Sequence, residues 1–200
     1  MEAILMSIEM ALNQCVTPKF RDEMRAIIQV ESSGNPNAIA LISKGRMLMQ
    51  PQSREQAIKT IELLEQLDMH YAAGVAQINR VNFQKFGIEH DNMFDACKSV
   101  KTGEAILKGC EDSASKSFSE NYQIQEAGWS CYYSGNFSDG FKKNGHKYSY
   151  VERVRKALGR KPPYGGANAS RGGSPPERIA DKDAGPGYVT SNVFEERGAK

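Results

Sequence analysis

Phe20-Arg21-Asp22-Glu23-Met24-Arg25-Ala26-Ile27-Ile28-Gln29-Val30-Glu31-Ser32-Ser33-Gly34-Asn35-Pro36 is the stretch whose residues decide what this chain can be. Phe20, Met24, Ile27 and Ile28 recur at helical spacing, and Glu31 continues the same stripe beyond Ile27 and Ile28. A carboxylate on a core-facing stripe is costly if it is ionised and unpaired. Keeping its proton is the cheaper state, and a retained proton near neutral pH is what a general acid needs. Gly34 suits the left-handed turn that ends a helix, and Pro36 cannot continue one. The acid is therefore expected at a helix end, at the edge of a core, within reach of a cleft. The alternative is a glutamate at a frayed helix end, turned to water.

A length of 200 residues suits one compact domain with an appendage. A hydrophobic share of 40% supports a core, while a mean hydropathy of -0.55 leaves much of the chain polar. Net charge of +2 and a pI near 8.3 fall short of the strongly basic face of a nucleic-acid binder. No apolar run is long enough to span a bilayer. Met1 to Leu12 is apolar but holds Glu2 and Glu9 and has no basic n-region, so it predicts a helix start and no secretory signal. Cys15, Cys97, Cys110 and Cys131 form no CxxC pair and no metal-ligand spacing with His70, His90 or His146. No metal and no cofactor is expected. An even number of cysteines fits two disulfides in an oxidising compartment, with reduced core cysteines as the alternative.

Helix is predicted from about Ala3 to Val30, with a break near Thr17-Pro18. Residues 35–52 read as irregular, with a short extended stretch at Arg46-Met47-Leu48-Met49. Ser53 to Leu67 has helix chemistry: Ser53 as N-cap, Gln56 completing a capping-box pattern, and Ala57, Ile61, Leu64 and Leu67 as the buried stripe. Further helices are predicted to begin near Asn79, to run from about Ser99 to Cys110 behind Asp95 or Ser99, and to run from Asn121 to Ser134, ending at Gly135. A last one covers Tyr148 to Leu158, with Val151, Val154 and Leu158 inward. No other strand and no internal repeat stands out. Beyond Gly159, Pro162-Pro163, Gly165-Gly166, Gly172-Gly173 and Pro175-Pro176 punctuate a polar stretch too poor in apolar anchors to offset the entropy of ordering. Val189, Val193 and Phe194 are apolar handles near its end.

Two further segments carry chemistry. Gly74-Val75-Ala76-Gln77-Ile78-Asn79 sets two amides beside a glycine that permits close approach of a ligand. Trp129-Ser130-Cys131-Tyr132-Tyr133-Ser134-Gly135-Asn136-Phe137 is aromatic and ends at a helix-capping glycine. Aromatic faces and amides are what a sugar cleft uses, although such an aromatic run also serves as ordinary core. In order and combination, Ile28 to Ile39, Gly74 to Asn79 and Tyr132-Tyr133-Ser134-Gly135 resemble the three signatures of lytic transglycosylases with the goose-type lysozyme-like (SLT) fold. The helical segment Ser53 to Leu67 ahead of Gly74 resembles, more narrowly, the branch that accompanies type IV secretion and conjugation systems. So do Phe94-Asp95-Ala96-Cys97 leading into Gly103-Glu104-Ala105-Ile106-Leu107, and the closing Tyr150-Val151 with Val154. The resemblance covers roughly residues 12–158. The chain departs from the general pattern at Ala76, Tyr133 and Ala40, where methionine, asparagine and serine are usual.

The resemblance implies a mainly α, lysozyme-like domain over residues 1–159, followed by a flexible tail over 160–200. It implies a periplasmic peptidoglycan enzyme that cleaves the bond between N-acetylmuramic acid (MurNAc) and N-acetylglucosamine (GlcNAc) with formation of a 1,6-anhydro ring. Such an enzyme opens the wall locally for assembly of a secretion apparatus. Glu31 is then the single catalytic acid, since Asp68, Glu89 and Asp91 lie in no matching motif, whereas ordinary glycosidases use two carboxyl groups. Gln77, Asn79, Tyr132 and Tyr133 are implied as substrate contacts, with Ser32 and Ser33 either joining them or serving as polar helix-end residues. Partners would be glycan strands and, through the tail, secretion-system components. An exported enzyme favours disulfides. Cys97 and Cys110 flank one helix, roughly 20 Å apart along it, too far to pair with each other. Antiparallel packing of helices 99–110 and 122–134 would bring Cys97 to Cys131 and leave Cys15 for Cys110. A water-using muramidase and a wall-anchored assembly protein are the rival functions.

Overall fold

The structure, a computed structural model, describes residues 2–42, 47 and 49–161. These fall into two compact units, one up to Gly103 and one from Glu104 on. The tail expected over 160–200, and most of the extended stretch at 46–49, lie outside the described residues.

In the first unit, helix α1 (Glu2–Cys15) stops ahead of Thr17-Pro18, and Pro18–Phe20 form a 3-10 turn leading into α2 (Arg21–Ser32). Proline at the first helical position explains the restart, because its missing N–H would have no intrahelical partner there. Arg25 ties the two helices together through Glu9, at 2.7 and 2.9 Å. α2 buries Met24, Ile27 and Ile28 as its spacing predicts, and Glu31 with them. α3 (Arg54–Gln66) is capped by Ser53, whose hydroxyl accepts from the Gln56 amide, and it buries Ala57, Ile61 and Leu64 but not Leu67, which lies past its last turn and is exposed. The reciprocal half of the expected box is displaced by one residue: Gln56 Oε1 accepts from the Gln52 N–H.

Strands appear where none was expected. β1 (Ile39–Leu41), β2 (Tyr71–Ala73) and β3 (Ile78–Asn79) form an antiparallel sheet in that order, with Ala40 opposite Ala72 and Ala73 opposite Ile78. β2 is buried at all three positions, so no alternation marks it, and two of its residues are alanines with little strand preference. The outer edge of β1 is occupied by Gln50, whose side-chain amide accepts from and donates to Ile39 backbone at 2.9 Å each way. After β3, Arg80–Asn82 make a 3-10 turn into the short α4 (Phe83–Phe86). α5 (Ala96–Ala114) begins behind Asp95, whose carboxylate accepts from Lys98 N–H at 2.7 Å.

The second unit takes the rest of α5, α6 (Asn121–Ser134) and α7 (Tyr150–Ala157). α6 ends at Gly135 with φ 76°, as its sequence predicts. α7 opens with a full capping box between Ser149 and Glu152. Between them, Gly140 packs so tightly on α6 that a Cβ would stand 2.6 Å from Ser130 Cα. A buried ion pair, Arg155 to Glu126 at 2.7 Å, joins α7 to α6.

Both cysteine pairs are oxidised, but not as expected. Cys15 pairs with Cys97 and Cys110 with Cys131, replacing the Cys97–Cys131 and Cys15–Cys110 pairing. α5 and α6 pack through small residues, with Cys110, Ala114, Ala127 and Cys131 in one buried cluster. That contact sets a register in which Cys131 faces Cys110. Cys97 lies nearly four turns earlier on α5, beside the end of α1. Among the described residues no helix is long and apolar enough to cross a membrane, and no cluster of three or more metal-ligating side chains occurs.

Candidate active site

Glu31 is the penultimate residue of α2 and only 5% exposed. The helix ends through two consecutive left-handed residues, Ser33 (φ 51°) and Gly34 (φ 78°). Asn35 then closes the turn: its N–H donates to Ser32 O, and its side chain accepts from Asn37 N–H, both at 3.0 Å. The carboxyl-bearing turn is thus fixed by its own chemistry.

The second element is the β2–β3 hairpin. Its turn, Gly74 to Gln77, is closed by the Gln77 N–H donating to Gly74 O at 3.0 Å. Gly74 has φ 79°, and a Cβ there would meet Met93 O at 2.7 Å and Ser99 Oγ at 3.0 Å, so only glycine fits. Gln77 also adopts positive φ, 49°, and is fully buried. Its Nε2 donates to Ala38 O at 3.0 Å and Gly74 O at 2.8 Å, which fixes the amide orientation. Its Oε1 is left buried without a hydrogen bond among the described residues.

Ser32 joins the two elements. Its hydroxyl donates to Val75 O at 2.7 Å, with Ile28 O 3.2 Å away, and accepts from Gly34 N–H at 3.2 Å. The residue after the acid is therefore bonded to the hairpin turn. Ser99 Oγ accepts from Ala76 N–H at 3.1 Å on another side of the turn. Asn79 is buried and caps the following 3-10 turn, its Oδ1 accepting from Val81 N–H at 3.1 Å.

Glu31, Ser32, Gln77 and Asn79 all belong to the first unit, with Ser33 exposed at the helix end. Tyr132 and Tyr133 belong to the second unit, on α6. Tyr132 is fully buried, and Tyr133 stacks on Tyr150 with ring centroids 4.6 Å apart. Sequence reasoning missed Ser99 and the Ala38 carbonyl as anchors of the turn. In the sequence Ser99 reads only as a helix start, and a backbone carbonyl leaves no trace there.

A family model described as the transglycosylase SLT domain matches residues 16–152. The chain belongs to the SLT transglycosylase family. All three stretches that first pointed to the SLT family, around Glu31, Gln77 and Tyr132, lie within that match. Over 142 residues this SLT chain is 40% identical to the "Type IV secretion system protein virB1" of Brucella abortus and to that of Brucella suis, covering 70% of itself and 59% of each relative. It is 28% identical over 147 residues to "Protein virB1" of Agrobacterium fabrum, covering 72% of itself and 56% of the relative. The chain therefore spans somewhat over half the length of these relatives. No solved structure matches it.

Proposed function

We propose that this SLT protein is a peptidoglycan lytic transglycosylase with Glu31 as its single acid and base. The observation that carries this is Glu31 itself: a buried carboxyl at a helix end, beside the buried Ile27 and Ile28, held against the hairpin turn through Ser32. Protonated Glu31 donates to the glycosidic oxygen, and the bond from MurNAc C1 to GlcNAc O4 breaks. The MurNAc acetamido oxygen supports the oxocarbenium-like C1. Glu31, now a carboxylate, takes the proton of the C6 hydroxyl, and O6 bonds to C1. The acid ends as it began, no water is consumed, and the product carries a 1,6-anhydro ring. In this scheme Gln77 and Asn79 set the geometry of the sugar-facing turn. Ser32 positions the acid, while Tyr132, Tyr133 and Ser33 contribute to the sugar site.

Similarity to type IV secretion proteins supports a role in opening the wall for such an apparatus, from the periplasmic side. Secretion components would engage residues 160–200, and residues 1–159 would form the catalytic domain. Mass spectrometry of products from purified wall tests the chemistry. Anhydro ends are expected. Reducing ends, heavier by one water, would make the enzyme a muramidase. Wall binding without release would make it an assembly protein.

A further inference from the structure

The first unit holds a cleft of about 670 Å³, walled by α3 and by the segment from Phe83 to Met93. Its floor is apolar: Phe83, Ile88 and Met93 are all buried. One wall is a closed polar frame. Glu65 Oε1 accepts from the Tyr71 hydroxyl at 2.6 Å, and Oε2 meets His90 Nε2 at 2.9 Å. Of the remaining charges, Arg80 is weakly paired and the two rim carboxylates are open. Arg80, 31% exposed, donates Nη1 to Met69 O at 3.3 Å and stands 3.8 Å from Asp68. Glu89 and Asp91 line the rim as exposed residues, and their carboxylates make no hydrogen bond or ion pair among the described residues.

An apolar floor with a cation on one side and two open carboxylates on the rim suits a short amphoteric peptide. Such a ligand carries carboxylates and a free ammonium on an aliphatic chain. The volume lies within the range of about 300–1,000 Å³ typical of small-ligand sites. The cleft is also linked to the acid. Tyr71 opens β2 and Arg80 follows β3, while the turn at the other end of the same hairpin is bonded to Ser32. Strand length separates the two ends by about 10 Å.

We infer that this cleft binds the stem peptide of peptidoglycan, which bears those groups, and so tethers the enzyme to the wall while Glu31 acts. The inference rests on the proposed wall substrate. Arg80 takes a peptide carboxylate, and Glu89 and Asp91 take the ammonium of the diamino acid. A second attachment raises the effective concentration of glycan near the acid without a new sugar contact.

Calorimetric titration of the full chain, carrying Glu31→Gln, with the soluble tripeptide alanyl-γ-glutamyl-diaminopimelate tests the cleft directly. Binding is expected. Glu89→Gln with Asp91→Asn should weaken it about tenfold, as for loss of one charge-assisted hydrogen bond, and Arg80→Ala should weaken it similarly. The rim variants change exposed side chains, so they report on binding even if Arg80→Ala disturbs folding. No binding, or equal binding by the rim variants, would overturn the inference. So would tighter binding of a lysine-rich peptide, which would assign the cleft to a basic protein segment. The chain with Glu31 intact should release product faster from stem-bearing strands than from strands stripped of peptide, and the rim variants should lose that preference. Equal rates in the wild type would reject the tether and leave the transglycosylase standing. Peptide binding with neither strand cleaved would do the reverse.

Discussion

Replacing Gly74 with alanine tests whether the hairpin turn is held as tightly as its contacts indicate. Two costs are separable. An L-residue in the left-handed region loses about 1–2 kcal/mol. The new Cβ would also lie 2.7 Å from the Met93 carbonyl oxygen and 3.0 Å from Ser99 Oγ, and relieving such overpacking costs about 1–3 kcal/mol. Together they amount to about 2–5 kcal/mol. At about 2–4 °C per kcal/mol for a domain of this size, the melting temperature should fall by roughly 10 °C. Gly145 provides the control: its φ is 85°, yet nothing lies within 4 Å of a Cβ built there. Gly145→Ala therefore carries the conformational cost alone, about 1–2 kcal/mol. Circular-dichroism melts with both disulfides intact should place Gly74→Ala clearly below Gly145→Ala. Only Gly74→Ala should lose wall release at temperatures where both variants are folded. Equal melting of the two, or a more stable Gly74→Ala, would refute the close approach of the turn to Met93 and Ser99.

Ser32→Ala leaves Gly34 N–H without its acceptor and removes the donor to Val75 O, which should cost about 1–3 kcal/mol; steady-state assays should show kcat falling more than KM rises. Peptide mapping without reduction should recover Cys15–Cys97 and Cys110–Cys131. Their sequence separations of 82 and 21 correspond to about 4.5 and about 3.3 kcal/mol of loop entropy, so thermal melts should find the paired removal of Cys15 and Cys97 the more damaging. Burial raises the Glu65 carboxyl, but hydrogen bonds from Tyr71 and His90 and the nearby charges outweigh it, holding the group below its ordinary value of 4.5. Its contribution to stability is then complete above that value and is lost as pH falls through the lower, folded one. Melts between neutral and acid pH should show Glu65→Gln with a shallower acid loss than the wild type.

Long periodic segments were legible because their chemistry is local. Asn121 to Ser134 carries its own stop in Gly135, Arg54 to Gln66 its own start in Ser53, and α2 its own apolar stripe. The sheet was not legible, because strands of two or three residues, with Ala72 and Ala73 buried on both faces, offer no alternation. The disulfide pairing was not legible either. It depends on the α5–α6 register, which the small residues Ala114 and Ala127 decide only once the helices pack. At the site, Glu31 and the Gly74–Asn79 motif announced themselves by type and order. The bonds that make them one site, Ser32 to Val75, Gln77 to Ala38 and Ala76 to Ser99, run largely to backbone groups that every sequence contains.

In the proposed mechanism one buried glutamate does the chemistry of this SLT protein. Mass spectrometry of muropeptides released from purified peptidoglycan by the wild type and by a folded Glu31→Gln variant tests it most directly. Anhydro-muramyl products from the wild type and none from Glu31→Gln are predicted. Undiminished anhydro product from the variant would contradict it.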